Sequence, residues 1–235
     1  MMTESAAASG LQTADETIDS SPSVTNQLLT SGVLAGPIYV VVGLTEALLR
    51  PGFDIRRDEL SLLANGDLGW IHVAMMVVTG LLTVAGSMGL RQALTSGTGR
   101  TVGPTLVGIY GLGVAIAGFL TADPALGFPP GTPDGRAMVL SWHAIGHLVA
   151  GSIGFLCLIA ACIVFARRFW TEGKHRWAAY SAVTGVVFLG GFAGIASGNP
   201  SPSLNVAFGL AVVVAWAWVS VVCARTPAGR RSTIK

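Results

Sequence analysis

Charge is the scarcest feature of this sequence. Only 11% of its 235 residues are Asp, Glu, Lys or Arg, whereas soluble domains carry roughly a quarter. A soluble fold so poor in charge could not cover its surface with groups that water solvates. No basic run interleaved with aromatics is present, and no nucleic-acid partner is expected. Cysteine is scarce as well. Cys157, Cys162 and Cys223 all lie in apolar stretches without CxxC spacing, which gives neither a disulfide framework nor a thiolate metal site. They read as small buried apolar residues. No Lys or Arg precedes the first apolar stretch, so a cleaved leader with a basic start is not expected.

What the chain has in quantity is apolar residues, at 51%, and glycine, at 31 residues. Spanning a bilayer takes about 20 predominantly apolar residues. Six stretches qualify, at 28–49, 69–90, 102–122, 138–166, 177–198 and 204–224. The expected fold class is therefore all-α, a polytopic transmembrane six-helix bundle over 28–224. A polar, acidic tail over 1–27 is expected to be disordered, and a basic tail follows over 225–235. Pro37 falls inside the first stretch, where it is expected to kink the helix, and Pro104 falls near the start of the third, where proline is tolerated. The first turn or two of the long fourth stretch are expected to project beyond the hydrocarbon.

Glycine spacing suggests where helices touch, because small residues let backbones approach in lipid. Gly32 and Gly36 are one such pair, and Gly190, Gly194 and Gly198 form another series. Gly108, Gly111, Ala115, Gly118 and Ala122 make a stripe along the third helix. A weak internal repeat also shows. Trp70-Ile71-His72 opens helix two as Trp142-His143 opens helix four. Ala122-Asp123-Pro124 ends helix three as Gly198-Asn199-Pro200 ends helix five. Either a duplicated hairpin or the sameness of Gly/Ala/Val-rich helices accounts for it.

Orientation follows from the basic residues, which gather on the cytoplasmic side of membrane proteins. Arg91, Arg100, Arg167, Arg168, Lys174, Arg176, Arg225, Arg230, Arg231 and Lys235 share the side of both termini. Arg50, Arg56, Arg57 and Arg136 lie on the other, so the division is ten to four of the 14 basic residues. Both termini are expected in the cytoplasm of a prokaryotic plasma membrane, with loops 50–68, 123–137 and 199–203 outside.

Ionisable residues within spans are costly and usually face the bundle interior. Here they are few, and most fall at the outer level. His143 and His147 stand at i and i+4, one above the other on helix four. Their face continues through Ala150, Gly151 and Gly154, a packing stripe that turns them toward other helices. His72 opens helix two on a face continued by Met76, Thr79, Thr83 and Gly86. Asp123 closes helix three, and Glu46 lies near the end of helix one. Loop 50–68 adds Ser61, Asn65 and Asp67. His175 sits in a basic cytoplasmic loop and reads as solvated.

Three readings stay open for this outward-facing His/Asp pocket. The histidines can simply hydrogen-bond carboxylates and fix helix positions. Alternatively His72, Asp123, His143 and His147 can hold a divalent metal such as zinc, since two histidines at i, i+4 bind one ion from a single helix turn. A zinc-bound water could then hydrolyse a lipid amide or ester. Bis-histidine haem ligation between helices two and four is a third. A transporter is a weaker alternative, because no charged residue in the cytoplasmic halves lines a path.

The runs Leu60-Ser-Leu-Leu-Ala-Asn-Gly-Asp-Leu-Gly-Trp70, Gly118-Phe-Leu-Thr-Ala-Asp-Pro124 and His143-Ala-Ile-Gly-His147 resemble the DUF998 family of prokaryotic membrane proteins, over about 28–224. The resemblance implies a six-helix fold and no particular chemistry. The polar inventory is also similar to that of the alkaline ceramidase and progestin/adiponectin-receptor superfamily, where Ser, His and Asp surround zinc in seven helices. Ser61, His72, Asp123, His143 and His147 are the matching types, but the helix count and motif order differ, which leaves analogy only. The expectation is a membrane protein with a non-catalytic role, the metal-dependent lipid hydrolase being the alternative. Membrane lipid is the expected partner, with a second copy or another membrane protein as further candidates.

The orientation is testable by cysteine substitution at Thr132 and Gly173 in intact cells. Position 132 is expected to react with an impermeant maleimide, and position 173 only after the membrane is opened. Labelling of position 173 from outside would reverse the assignment.

Overall fold

The computed structural model describes residues 23–135, 138–198 and 201–227. Residues 1–22 of the expected disordered tail over 1–27, Arg136, the Asn199-Pro200 end of the weak repeat and the end of the basic tail lie outside them. Six α-helices are long and apolar enough to cross a membrane, and no strand occurs among the described residues. They are α1 (Val24–Leu49), α2 (Gly69–Ala93), α3 (Val102–Phe119), α4 (Trp142–Thr171), α5 (His175–Ala196) and α6 (Pro202–Ala224). A single turn of 3-10 helix, Leu60–Ala64, lies between α1 and α2.

The helix starts follow local chemistry. The hydroxyls of Ser23 and Ser141 accept the backbone N–H groups of Asn26 and Ala144, at 3.3 and 3.2 Å, taking up donors that a helix start leaves free. Pro202 opens α6, where its missing N–H costs nothing. Three of the departures from the expected boundaries bear on the loop region and the helix ends. α1 begins at Val24, inside the stretch read as tail, because Ser23 caps it there. α3 stops at Phe119 rather than at Ala122, so Asp123 lies in the loop beyond its end. α4 begins at Trp142 rather than at 138, so its extra length lies toward Thr171, at the opposite end from the one expected.

Successive helices pack in chain order, and α6 returns to α1, closing a ring of six. Across the ring α2 and α6 barely meet. The links α1–α2, α3–α4 and α5–α6 share one end, here termed the loop end, and the two described chain ends share the other, the terminal end. Large apolar side chains such as Val41, Leu81, Leu112, Ile153, Ile163 and Val186 point outward and are exposed. Water would not tolerate such a surface, whereas hydrocarbon solvates it. The chain is a multi-pass membrane protein.

Glycines set the closest approaches. A Cβ on Gly80 would meet the carbonyl oxygen of Gly111 at 2.6 Å and the nitrogen of Ala115 at 2.7 Å. One on Gly36 would meet the Trp216 carbonyl at 2.5 Å. The expected stripe on α3 therefore packs on α2, and the Gly32/Gly36 pair packs on α2 and α6. The α5 series does not behave as one stripe. Gly194 meets Leu204 and the neighbouring Gly191 meets Ala211, both at 3.0 Å, but nothing lies within 4 Å of a Cβ on Gly190 or Gly198. A spacing of four selects a face, and that face of α5 turns away from α6 at Gly190.

Gly80→Ala is expected to lower the detergent-phase unfolding temperature by several degrees, as overpacking of about 1–3 kcal/mol would. Gly190→Ala is expected to leave it unchanged or slightly higher. Equal effects would contradict the packing assignment.

Candidate functional site

The loop end is organised by a carboxylate buried near the end of α1. Glu46 Oε2 accepts a hydrogen bond from His72 Nδ1 on α2 at 2.9 Å, and Glu46 Oε1 lies 3.4 Å from Arg50 Nη1. Arg50 also donates to the carbonyl of Leu63 at 3.2 Å and to that of Asn65. Its guanidinium lies 5.6 Å from the centre of the Phe128 ring. One line of charge thus joins α1, α2, the 3-10 turn and the α3–α4 loop. His72 is fully buried, and its Nε2 has no hydrogen-bond partner among the described residues.

A second arginine and an asparagine hold the rest of loop 50–68. Arg57 pairs with both oxygens of the buried Asp58, at 2.8 and 3.0 Å. Asn205, in the first turn of α6, donates from Nδ2 to the carbonyls of Ile55 and Asp58, both at 2.9 Å. Leu62 and Leu63 then close on Ala125 and Phe128, a small apolar cluster separate from the main core.

Beneath this cap the ring of helices is hollow. A cavity of about 620 Å³ reaches from the loop end toward mid-bundle, within the size range of small-molecule sites. Its α4 wall runs from Ala144 to Phe155, roughly 16 Å at the rise of an α-helix. The floor is aromatic. Tyr39 stacks on Trp216 with ring centres 4.5 Å apart, and Tyr110 tilts against Trp216 at 5.4 Å. Phe155 meets Phe188, Phe192 and Phe208 edge-on at 5.1 to 5.9 Å, forming the wall between α4, α5 and α6. Gly151 and Gly209 also line the space, and a Cβ on either would meet nothing within 4 Å. The carboxylates and the histidine that line it, Asp58, Glu59, Asp123 and His147, belong to the loop-end part, with Ser61 and Asn205.

His147 shows why a sequence pattern misleads about partners. Its Nδ1 donates to the carbonyls of Ala117 and Leu120, at 2.8 and 3.0 Å. These belong to the last turn of α3, whose carbonyls have no helical donor, so α4 caps α3 through a histidine. The hydroxyls of Thr79 and Thr83 are spent on their own helix, on the carbonyls of Met75 and Thr79, at 2.7 and 2.8 Å. Asp123 accepts from the Ser141 hydroxyl at 2.6 Å and from the Ser141 N–H at 2.8 Å. Those bonds, the hydroxyl's first, hold its carboxyl below the usual range.

Of the eight residues the sequence singled out, Ser61, Asp123 and His147 line the cavity. Glu46 and His72 pair in the helix interface and are absent from its lining. Asn65 serves the loop, its Nδ2 donating to the Leu62 carbonyl at 3.1 Å, and Asp67 is exposed. His143 does not point into the bundle. It is exposed and lies against Trp142, ring centres 3.7 Å apart, because α3 has already ended at its level. Likewise Gly154 packs on α3, while Gly151 faces the void. Among the described residues no group of three or more His, Cys, Asp or Glu side chains is placed to hold a metal ion. The expected histidine–aspartate ligand set is instead distributed over separate partners. Ser141, Arg50, Asn205 and the aromatic floor went unremarked in the sequence. Arg50 at i+4 from Glu46 and Phe188/Phe192 at i, i+4 were the available signals.

A family model described as a protein of unknown function, DUF998, matches residues 33–225, and the chain belongs to that family. No curated protein and no solved structure matches the chain.

Removing the Glu46 carboxylate leaves Arg50 buried without its counter-charge. Glu46→Ala is expected to cost about 3–5 kcal/mol, the usual penalty for breaking a buried pair, read as a large fall in the unfolding temperature. Asp67→Ala is expected to have no effect. A neutral Glu46→Ala would mean that the ion pair does not hold the cap.

Proposed function

We propose that this DUF998 protein is a non-catalytic membrane protein that holds one lipid-like amphiphile in its intrabundle cavity. The apolar chain lies among Phe155, Phe188, Phe192 and Phe208 and ends on Trp216. The polar group sits at the loop end, near Asp123, His147 and Ser61. One observation carries the reading: a cavity of about 620 Å³ with aromatic walls and floor, whose carboxylates and histidine belong to its loop end. A largely apolar space with its charged groups at one end is what orients an amphiphile. By the division of basic residues the loop end faces outward, so the head group would be met from the outer leaflet.

A hydrolase needs an activated water or nucleophile near the bound head group. His147 Nδ1 is committed to α3 carbonyls, Asp123 to Ser141 and His72 to Glu46. The hydroxyl among them, that of Ser141, meets Asp123 while also accepting the Ala144 N–H as the cap of α4, a positioning role that favours binding over turnover.

The test is to fill the cavity. Native mass spectrometry of the protein extracted from its membrane is expected to show one bound amphiphile. Gly151→Leu and Gly209→Leu are expected to lose it at an unchanged unfolding temperature, since both glycines face open space. Retention of the amphiphile in both variants, or a cavity that takes up no single-chain lipid, would overturn the reading.

A further inference from the structure

The charged and amide donors near the mouth are already engaged, and this limits what head group can enter. Arg57 is paired with Asp58, and both Asn205 Nδ2 hydrogens go to loop carbonyls. The His147 Nδ1 hydrogen goes to α3. What remains toward the cavity is the Ser61 hydroxyl, which can donate or accept, and otherwise acceptor capacity. A neutral imidazole that donates from Nδ1 presents a lone pair at Nε2, and a carboxylate bound by two donors still has lone pairs to offer. No Lys or Arg lines the cavity among the described residues, whereas Asp58, Glu59 and Asp123 do. The charge of Asp58 is matched by Arg57. Among the described residues that of Asp123 is held by the neutral hydroxyl and N–H of Ser141 and, more weakly, by the exposed His143.

We infer that the amphiphile carries a protonated amine, a long-chain amine whose ammonium meets Asp123 at the loop end while its chain runs down to Trp216. This rests on the cavity reading above. An ammonium is all donor, with three hydrogens and no lone pair, and it matches a mouth whose acidic lining groups are Asp58, Glu59 and Asp123 and which no Lys or Arg lines among the described residues. A fatty acid or phosphate monoester would place an anion beside Asp123 at a mouth already lined by carboxylates, where like charges repel. A neutral glyceride can donate through its hydroxyls but gains nothing from the charge.

The experiment compares three probes of equal chain length that differ only in head group: hexadecylamine, palmitic acid and monopalmitoylglycerol. Each is measured by equilibrium binding to the full-length protein in nanodiscs at neutral pH. The amine is expected to bind about tenfold or more tightly than the acid, with the glyceride between them. Asp123→Asn is expected to remove the amine's advantage while leaving glyceride binding intact, and Asp123→Glu to restore it. If Asp123→Asn does not fold, the ranking in the unaltered protein decides. Palmitic acid binding as tightly as the amine, or an amine preference that survives Asp123→Asn, would overturn the inference and leave the cavity reading standing. Failure of all three probes to bind would overturn the cavity reading itself.

Discussion

The loop end of this bundle depends on the carboxylate of Glu46. A buried carboxylate must be matched, and Glu46 is matched from two directions, by His72 on the next helix and by Arg50 one turn along its own. Because Arg50 also donates to the Leu63 and Asn65 carbonyls, matching the charge pulls the 3-10 turn down onto the helix ends. Leu62 and Leu63 are thereby set against Ala125 and Phe128, and the α3–α4 loop is drawn into the same cap. Such a network adds little net stability over an apolar equivalent. Its contribution is directional, in that it fixes which chain segments cover the cavity and at what depth.

Under that cap the two halves of the bundle differ in density. Toward the terminal end the core is filled by Phe165, Phe169, Leu158, Cys162 and Trp218, whose indole donates to Ser181 at 3.0 Å. Toward the loop end the ring opens. α1, α2 and α3 approach closely through Gly32, Gly86, Gly80 and Gly111, whereas Gly151 on α4 and Gly209 on α6 face empty space. The same residue type therefore has opposite roles on opposite sides of the ring, closing one wall and leaving the other recessed. The aromatic floor of Tyr39, Trp216 and Tyr110 is where the filled half gives way to the hollow one.

This division explains what could be read from the sequence. The six spans were legible because hydrophobic length is a property of the chain alone, and their bounds fell within about a turn of those found. Polar residues could be located along the helices, but their partners could not be identified. His143 and His147 share a spacing that suggests one site, yet one is exposed and the other caps a neighbouring helix. The main-chain carbonyls that His147 bonds carry no mark in a sequence, and neither does the early end of α3 that frees them. Asp123 stood out in the sequence, but its partner, Ser141, looked like an ordinary residue ahead of a helix. A glycine spacing of four was equally ambiguous, since the pattern that packs α3 on α2 leaves Gly151 over a void.

A void of this size is not neutral for the fold that contains it. Side chains lining an empty apolar space lose dispersion contacts on one side, and in a membrane the lost contacts are not offset by a hydrophobic force between helices. The loop half of this ring is therefore held by its rim, through Glu46, Arg57, Asp58 and Asn205, rather than by its core. On the proposed reading a bound chain supplies the missing contacts, so occupancy and rim together do what packing alone does at the terminal end. Anything that binds the folded form and not the unfolded one raises its stability by mass action. On that reading the rim's ion pairs keep the site open when it is empty, and the occupant completes the core when it is full. The polar groups at the loop end would then both close the fold and select the molecule it encloses.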